Sequence, residues 1–152
     1  MDTDFITQEI KKLLEVMGFG SDIEDIEVHQ GTAMRVCLRM RGHVNMLIGE
    51  RGNNLIAIEH LLKKIINQKK GGEEMRFTLD INDYRMKRLE DLKQDVKQAA
   101  REVRLYHHES SLRPMSSFER RIVHLLLEEC PDITTESVGA DPERRVIIKP
   151  YP

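Results

Sequence analysis

The 152-residue sequence predicts an α+β protein built in two parts. Three observations carry that reading. Apolar residues alternate with polar ones in two stretches of the first half, the pattern of half-buried strands. Apolar stripes at helical spacing flank those stretches. Residues 82–107 then keep helical periodicity throughout, before shorter apolar runs return.

Taken in order, Ile6, Ile10, Leu13, Leu14 and Met17 recur at helical spacing, and Gly18 and Gly20 close that helix. Ile26 and Val28 mark a short strand. Beyond Gly31, Met34, Val36, Leu38 and Met40 alternate with Arg35, Cys37, Arg39 and Arg41, which puts three arginines on the outer side of a second strand. Residues 44–48 fit a short helix that Gly49-Glu50-Arg51-Gly52 interrupts. Asn53 can cap the next helix, where Leu55, Ile58, Leu61, Leu62, Ile65 and Ile66 form the apolar stripe. Met75, Phe77, Leu79 and Ile81 alternate as a third strand. The long helix at 82–107 carries Leu89, Leu92, Val96, Ala99 and Val103. Residues 112–115 read as a short strand, Ser116-Ser117-Phe118-Glu119 as a capping box opening a helix that ends near Pro131, and 133–138 with 145–149 as two strands joined by a Gly-Ala-Asp-Pro turn. The boundary falls at residue 82, giving parts 1–81 and 82–152.

Composition excludes several classes. With 39% apolar and 33% charged residues the chain is globular rather than disordered. Its apolar runs fall far short of the roughly 20 residues that span a bilayer, so no membrane insertion is expected. The opening Met1-Asp2-Thr3-Asp4 is acidic and lacks a signal core, which points to the cytoplasm. Cys37 and Cys130 form no CxxC pair and read as reduced structural thiols. Net charge is −2, but it is unevenly spread. Residues 1–34 hold two lysines against eight acids, whereas residues 35–81 hold nine Lys or Arg against five acids. The basic excess surrounds the glycine turn, and the local field governs anion capture.

A Gly-x-x-Gly string alone is weak, since chance supplies roughly half an occurrence per chain of this glycine content. Its setting between two amphipathic helices gives it weight. Glycines let the backbone approach a phosphate closely, and the following helix adds N–H donors and the positive end of its dipole. On Leu47-Ile48-Gly49-Glu50-Arg51-Gly52-Asn53-Asn54-Leu55, residues 1–81 resemble a type II KH domain (αββααβ). The resemblance implies a clamp on the backbone of about four unpaired nucleotides, made by Gly49, Glu50, Arg51, Gly52 and Asn53. Bases would lie in an apolar groove lined by Ile48, Leu55, Val36 or Leu38, while Lys63 and Lys64 are either rim contacts or solvated surface. Glu50 departs from the family pattern, because a carboxylate beside phosphate is repulsive. Gly52→Asp is expected to weaken RNA binding without unfolding this part.

In the second part Arg120 and His124 stand at i and i+4 on one helix face. With Phe118, Ile122, Val123, Leu125 and Leu126 on the buried side, Arg120, Arg121 and His124 are expected to face the polar side. An arginine fork and an imidazole there suit phosphate or a nucleobase. The same spacing at Arg39/His43 and Arg104/His108 lacks the capping box and the tail Ser137-Val138-Gly139-Ala140-Asp141-Pro142-Glu143-Arg144-Arg145-Val146. With both, residues 82–152 resemble the R-x-x-x-H (R-three-H) domain. That likeness implies single-stranded nucleic-acid binding, with Arg144 and Arg145 as further phosphate contacts.

The two modules in this order resemble the Jag family, also called SpoIIIJ-associated or KhpB proteins, most specifically at Phe118-Glu119-Arg120-Arg121-Ile122-Val123-His124. The resemblance implies a bacterial post-transcriptional regulator that binds single-stranded RNA, tied to cell elongation, envelope growth or sporulation. It also implies a KH-to-KH homodimer or a heterodimer with a single-KH protein. Full-length members carry a further N-terminal Jag domain and linker that these 152 residues do not contain, as in a short member or a truncated chain. The rival readings are a single-stranded DNA binder and a protein-interaction module with a decayed nucleic-acid surface. An enzyme is not expected. His124 with Glu128, or adjacent His107 and His108, lack a third ligand or a nucleophile, so no cofactor and no metal are implied.

Overall fold

The computed structural model describes residues 3–152, and Met1 and Asp2 of the acidic opening lie outside the described residues. The fold is α+β. The chain divides between Arg85 and Met86 into two compact units, each with its own apolar core.

The first unit runs α1 (Thr3–Val16), β1 (Ile23–His29), β2 (Met34–Met40), α2 (Asn45–Ile48), α3 (Asn53–Lys69) and β3 (Phe77–Ile81), in the order the periodicities predict. Its sheet has the order β1-β2-β3. β1 pairs antiparallel with β2, and β2 pairs parallel with β3. A parallel pair needs a crossover, and α2, the glycine turn and α3 supply it. Along β2, Met34, Val36, Leu38 and Met40 are buried while Arg35 and Arg39 are exposed. Ile6, Ile10 and Leu14 of α1 and Leu55, Ile58, Leu62 and Ile66 of α3 fill the core with that face. Met17 and Leu61, expected in the apolar stripes, are 40% and 45% exposed.

Polar groups fasten the layers. Glu9 is buried on α1, and its carboxylate accepts from Lys69 Nζ at 2.8 Å and Lys12 Nζ at 3.4 Å. The hydrogen bond from Lys69 holds its carboxyl below the ordinary value, against the opposing effect of burial. Glu59 on α3 accepts from the Leu79 N–H (2.9 Å) and from Arg85 Nη2 (2.7 Å), tying α3 to β3 and to the chain beyond it. Asn82 exchanges two hydrogen bonds with the Met40 backbone, both 2.9 Å, and so prolongs the sheet by one side chain.

The second unit contains most of α4 (Tyr84–Tyr106), then β4 (Ser110–Ser111), α5 (Ser117–Leu127), β5 (Ile133–Val138) and β6 (Arg145–Pro150). The sheet order is β4-β6-β5, antiparallel throughout. Leu92, Val96, Ala99, Ala100 and Val103 of α4 pack with Val123, Leu127, Ile133, Val146 and Ile148. The strand expected at 112–115 is displaced to Ser110–Ser111. Pro114 has no N–H to give a ladder, so Leu112 and Met115 run irregularly beside β6. Their N–H groups still reach the carbonyls of Val146 (3.0 Å) and Arg144 (3.1 Å), and their side chains enter the core.

Candidate nucleic-acid interface

The glycine turn is shaped by three departures from ordinary right-handed or extended backbone, at Gly49, Arg51 and Gly52. Gly49 leaves α2 at φ 73°, ψ 178°, a region essentially reserved for glycine. Arg51 (φ 55°, ψ 24°) and Gly52 (φ 76°, ψ 14°) are left-handed, and Gly52 is the N-cap of α3. A Cβ on Gly49 would lie 2.5 Å from the Asn54 side chain, and one on Gly52 would lie 2.9 Å from the Tyr84 ring. Inside the turn the Gly52 N–H donates to Gly49 O (3.2 Å) and the Asn53 N–H to Glu50 O.

Three expectations for this region are corrected. Asn53 does not cap α3: it is already helical, and the cap position makes no side-chain hydrogen bond. Its neighbour Asn54 instead donates to Met46 O at 2.8 Å, stapling α2 to α3. The groove assigned to Ile48, Leu55, Val36 and Leu38 is not built from them, because these side chains are between 0% and 8% exposed and fill the core beneath the turn. The exposed apolar groups flanking the turn are Met46 and Ile56. Finally, Gly52 is buried, so Gly52→Asp strains the fold as well as the surface. Gly49 and Arg51 are half-buried, Glu50 and Asn53 exposed. Lys63 is engaged by Glu59 (2.9 Å) and sits over the Phe77 ring, whereas Lys64 is exposed.

In the second unit α5 begins with the expected capping box. Ser116 Oγ accepts from the Glu119 N–H (3.2 Å), and the Glu119 carboxylate accepts from the Ser116 N–H (3.1 Å). Arg88 of α4 pairs with the same carboxylate. Burial pushes the Glu119 carboxyl up, but the hydrogen bonds from Arg88 and Ser116 outweigh it and leave it below the ordinary value.

The orientation of α5 reverses part of the expectation. Its buried residues are Arg120, Val123 and Leu127, at i, i+3 and i+7, while Phe118 (72%), Leu125 (58%) and Leu126 (42%) are exposed. Arg120 therefore does not face the polar side. Its guanidinium donates from Nη1 to Met115 O at 2.7 Å and meets Asp141 Oδ1 at 3.4 Å. A buried guanidinium is tolerated when its donors are met, and here the contact pins the start of α5 to the loop between β5 and β6.

His124 is half-buried between α5 and β5. Its Nδ1 lies 2.6 Å from Thr135 Oγ1 and its Nε2 lies 2.9 Å from Ser137 Oγ. Hydroxyls both donate and accept, so this seat fits either tautomer. Arg121 is exposed and makes no ion pair among the described residues. Together with His124, Leu125, Glu128, Thr134 and Thr135 it lines a cleft of about 380 Å³. Arg144 Nη1 donates to Gly139 O (3.4 Å) while its Nε is buried without a hydrogen-bond partner. Arg145 lies against Glu143, whose carboxylate is 3.4 Å from its Nη2. Arg120 links α5 to Asp141 in the loop between β5 and β6, while the cleft with Arg121 and His124 lies towards the Ile133 end of β5 and Arg145 pairs with Val138 at the other.

Sequence reasoning passes over Thr135 and Tyr84, and it quotes Ser137, Asp141 and Asn54 within motifs without giving them a role. The alternation of Thr135 and Ser137 on β5 is the available signal for that pair, since i and i+2 share a strand face. A larger cavity, about 630 Å³, lies between α1 and β1, lined by Glu15, Glu24 and Asp25 against Lys11. Its sign is wrong for a phosphate chain.

Residues 87–150 match the model of the R-three-H domain. The match covers nearly all of the second unit, Met86–Pro152. The chain is 31% identical to the RNA-binding protein KhpB of Clostridium symbiosum over 140 residues, 91% of this chain and 62% of that relative. It is 36% identical over 103 residues to the protein of the same name from Lactiplantibacillus plantarum, covering 68% of this chain and 32% of the relative. To that of Bacillus subtilis it is 35% identical over 105 residues, 68% of this chain and 50% of the relative. The chain is thus similar to the KhpB (Jag-family) proteins, with a match to the R-three-H model in its second unit. It spans less than two thirds of the length of these relatives.

Proposed function

We propose that this chain binds single-stranded RNA through two surfaces and catalyses no reaction. The observation that carries the reading is the α5–β5 cleft, where Arg121, without an ion pair among the described residues, lines the wall with His124 and Thr135, and Thr135 and Ser137 hold the imidazole. An open cleft whose wall sets Arg121 and the threonine hydroxyls beside Leu125, Leu127 and Ile133, with Glu128 as its acid, suits a strand that offers both phosphates and apolar base faces. Support also comes from the R-three-H match and from three relatives named as RNA-binding proteins. Arg121, His124, Arg144 and Arg145 contact the strand, and Arg120 positions them.

The second surface is the glycine turn of the first unit, residues 1–81 being read as a type II KH-like domain ahead of the R-three-H domain. The observed crossover, with a sharp glycine turn at the uncapped start of a 17-residue helix, supports this assignment. Gly49, Glu50, Arg51, Gly52 and Asn53 form the clamp, with Glu50 limiting its strength. The family resemblance extends the proposal to a cytoplasmic post-transcriptional regulator tied to cell elongation, envelope growth or sporulation. It also extends it to dimerisation through the KH-like domain.

The test is a titration of one fluorescent sequence as single-stranded RNA, single-stranded DNA and duplex RNA. RNA binding predicts the first to bind most tightly and the duplex least. Equal affinity for RNA and DNA strands selects the DNA-tolerant reading. No binding of any of them at low salt selects the protein-interaction reading.

A further inference from the structure

The exposed face of α5 is chemically odd for a solvated helix. Phe118 is 72% exposed and Leu125 58%, and they lie seven residues apart, which places them on one helical stripe. Between them stands Arg121, exposed and without an ion pair among the described residues. Arg121 and Leu125 also line the 380 Å³ cleft with His124, so the stripe continues that cleft outward along the helix. The core does not need these residues, because Arg120, Val123 and Leu127 already supply the inward face.

We propose that Phe118, Arg121 and Leu125 form a stacking platform for unpaired nucleobases of single-stranded RNA whose phosphates run past Arg121 and His124. The proposal rests on the RNA-binding reading above and adds the part of the ligand that this face takes. An exposed phenyl ring offers a flat apolar surface to a base, and a guanidinium stacks on bases while pairing with phosphate. The interleaved cation argues for a polyanion, which supplies its counter-charge at every nucleotide and an apolar face at every base. Stacking is indifferent to base identity, since every base has a π-face.

The test uses the whole chain and a short single-stranded RNA, intact or with abasic sites. Phe118→Ala is expected to weaken binding of intact RNA about ten- to a hundredfold, the range typical of losing one stacked base. It should leave the salt slope unchanged, because no charge is lost. Abasic RNA should bind the wild type and Phe118→Ala equally. Phe118→Trp should retain affinity and show indole fluorescence quenched by RNA. Tyr106→Ala is the control: Tyr106 is 66% exposed at the end of α4, its ring stacked on His108 outside this stripe. Wild-type affinity in Phe118→Ala, with RNA binding otherwise intact, overturns the platform and leaves the proposed function standing. If Phe118→Ala instead dissolves a dimer or a protein complex without touching RNA affinity, the stripe is a protein interface and the proposal is wrong. Failure of the wild type to bind any RNA overturns the reading on which the proposal rests.

Discussion

The glycine turn and the α5–β5 cleft, the two surfaces proposed for RNA, are shaped by opposite means. In the turn the backbone does the shaping: Gly49 occupies a region essentially closed to other residues, Gly52 the left-handed region that disfavours a side chain, and neighbouring side chains stand where their Cβ atoms would go. In the cleft the backbone is regular and side chains do the shaping, with Arg120 buried as a pin and His124 seated on two hydroxyls. Each site is therefore vulnerable in its own way. Substitution at the turn strains the fold directly, whereas in the cleft the anchoring residue and the contacting residues are separate and can be changed independently.

The largest expected effect comes from removing the cleft's anchor. Arg120→Ala leaves Met115 O without its donor and opens space beside Val123, which should destabilise the second unit by about 2–4 kcal/mol in chemical denaturation. The exposed partner Asp141 contributes little of this, since ion pairs at the surface are worth about 0–1 kcal/mol. Weaker RNA binding with unchanged stability would instead make Arg120 a direct contact. Next, Gly49→Ala should destabilise the first unit by about 1–3 kcal/mol, through a backbone region that alanine avoids and the collision with Asn54. Residue-resolved hydrogen exchange should confine each loss to its own unit.

Much of this organisation is legible in the sequence. The alternation along β2 and the stripe on α3 name the first core because residue period and burial agree there. α5 misleads because it carries two stripes of helical period. Hydrophobicity favours Phe118, Ile122, Val123, Leu125 and Leu126; the structure buries Val123 as expected, but with Arg120 and Leu127, and exposes Phe118, Leu125 and Leu126. The Met115 carbonyl just before the N-cap and Asp141 in the loop beyond β5 make burying an arginine favourable, and the second lies 21 residues away. Likewise the partners of His124 are 11 and 13 residues away on a strand, beyond any helical spacing rule.

Two smaller effects separate the turn from the cleft further. Glu50→Lys removes a repulsive carboxylate from the exposed tip of the turn. RNA affinity should rise, with the log–log salt slope steeper by about 0.7 if the lysine reaches one phosphate. An unchanged slope would mean that the turn lies away from the strand. The smallest effect concerns acid. Glu9 in one unit and Glu119 in the other are held below the ordinary carboxylate value of 4.5 in the folded protein. Their stabilisation is therefore complete above about pH 4.5 and lost as pH falls through the folded values. Glu9→Gln should flatten the acid limb of unfolding for the first unit alone.

If the turn and the cleft take the same class of ligand, one RNA strand should mark both. Ultraviolet crosslinking of the chain to single-stranded RNA, with peptides mapped by mass spectrometry, reads this out in a single experiment. Crosslinks should fall at residues 49–54 and along 118–125 with 135–145. Crosslinks confined to the acidic α1–β1 cavity or to the outer face of the first sheet, or none at either predicted surface, would contradict it.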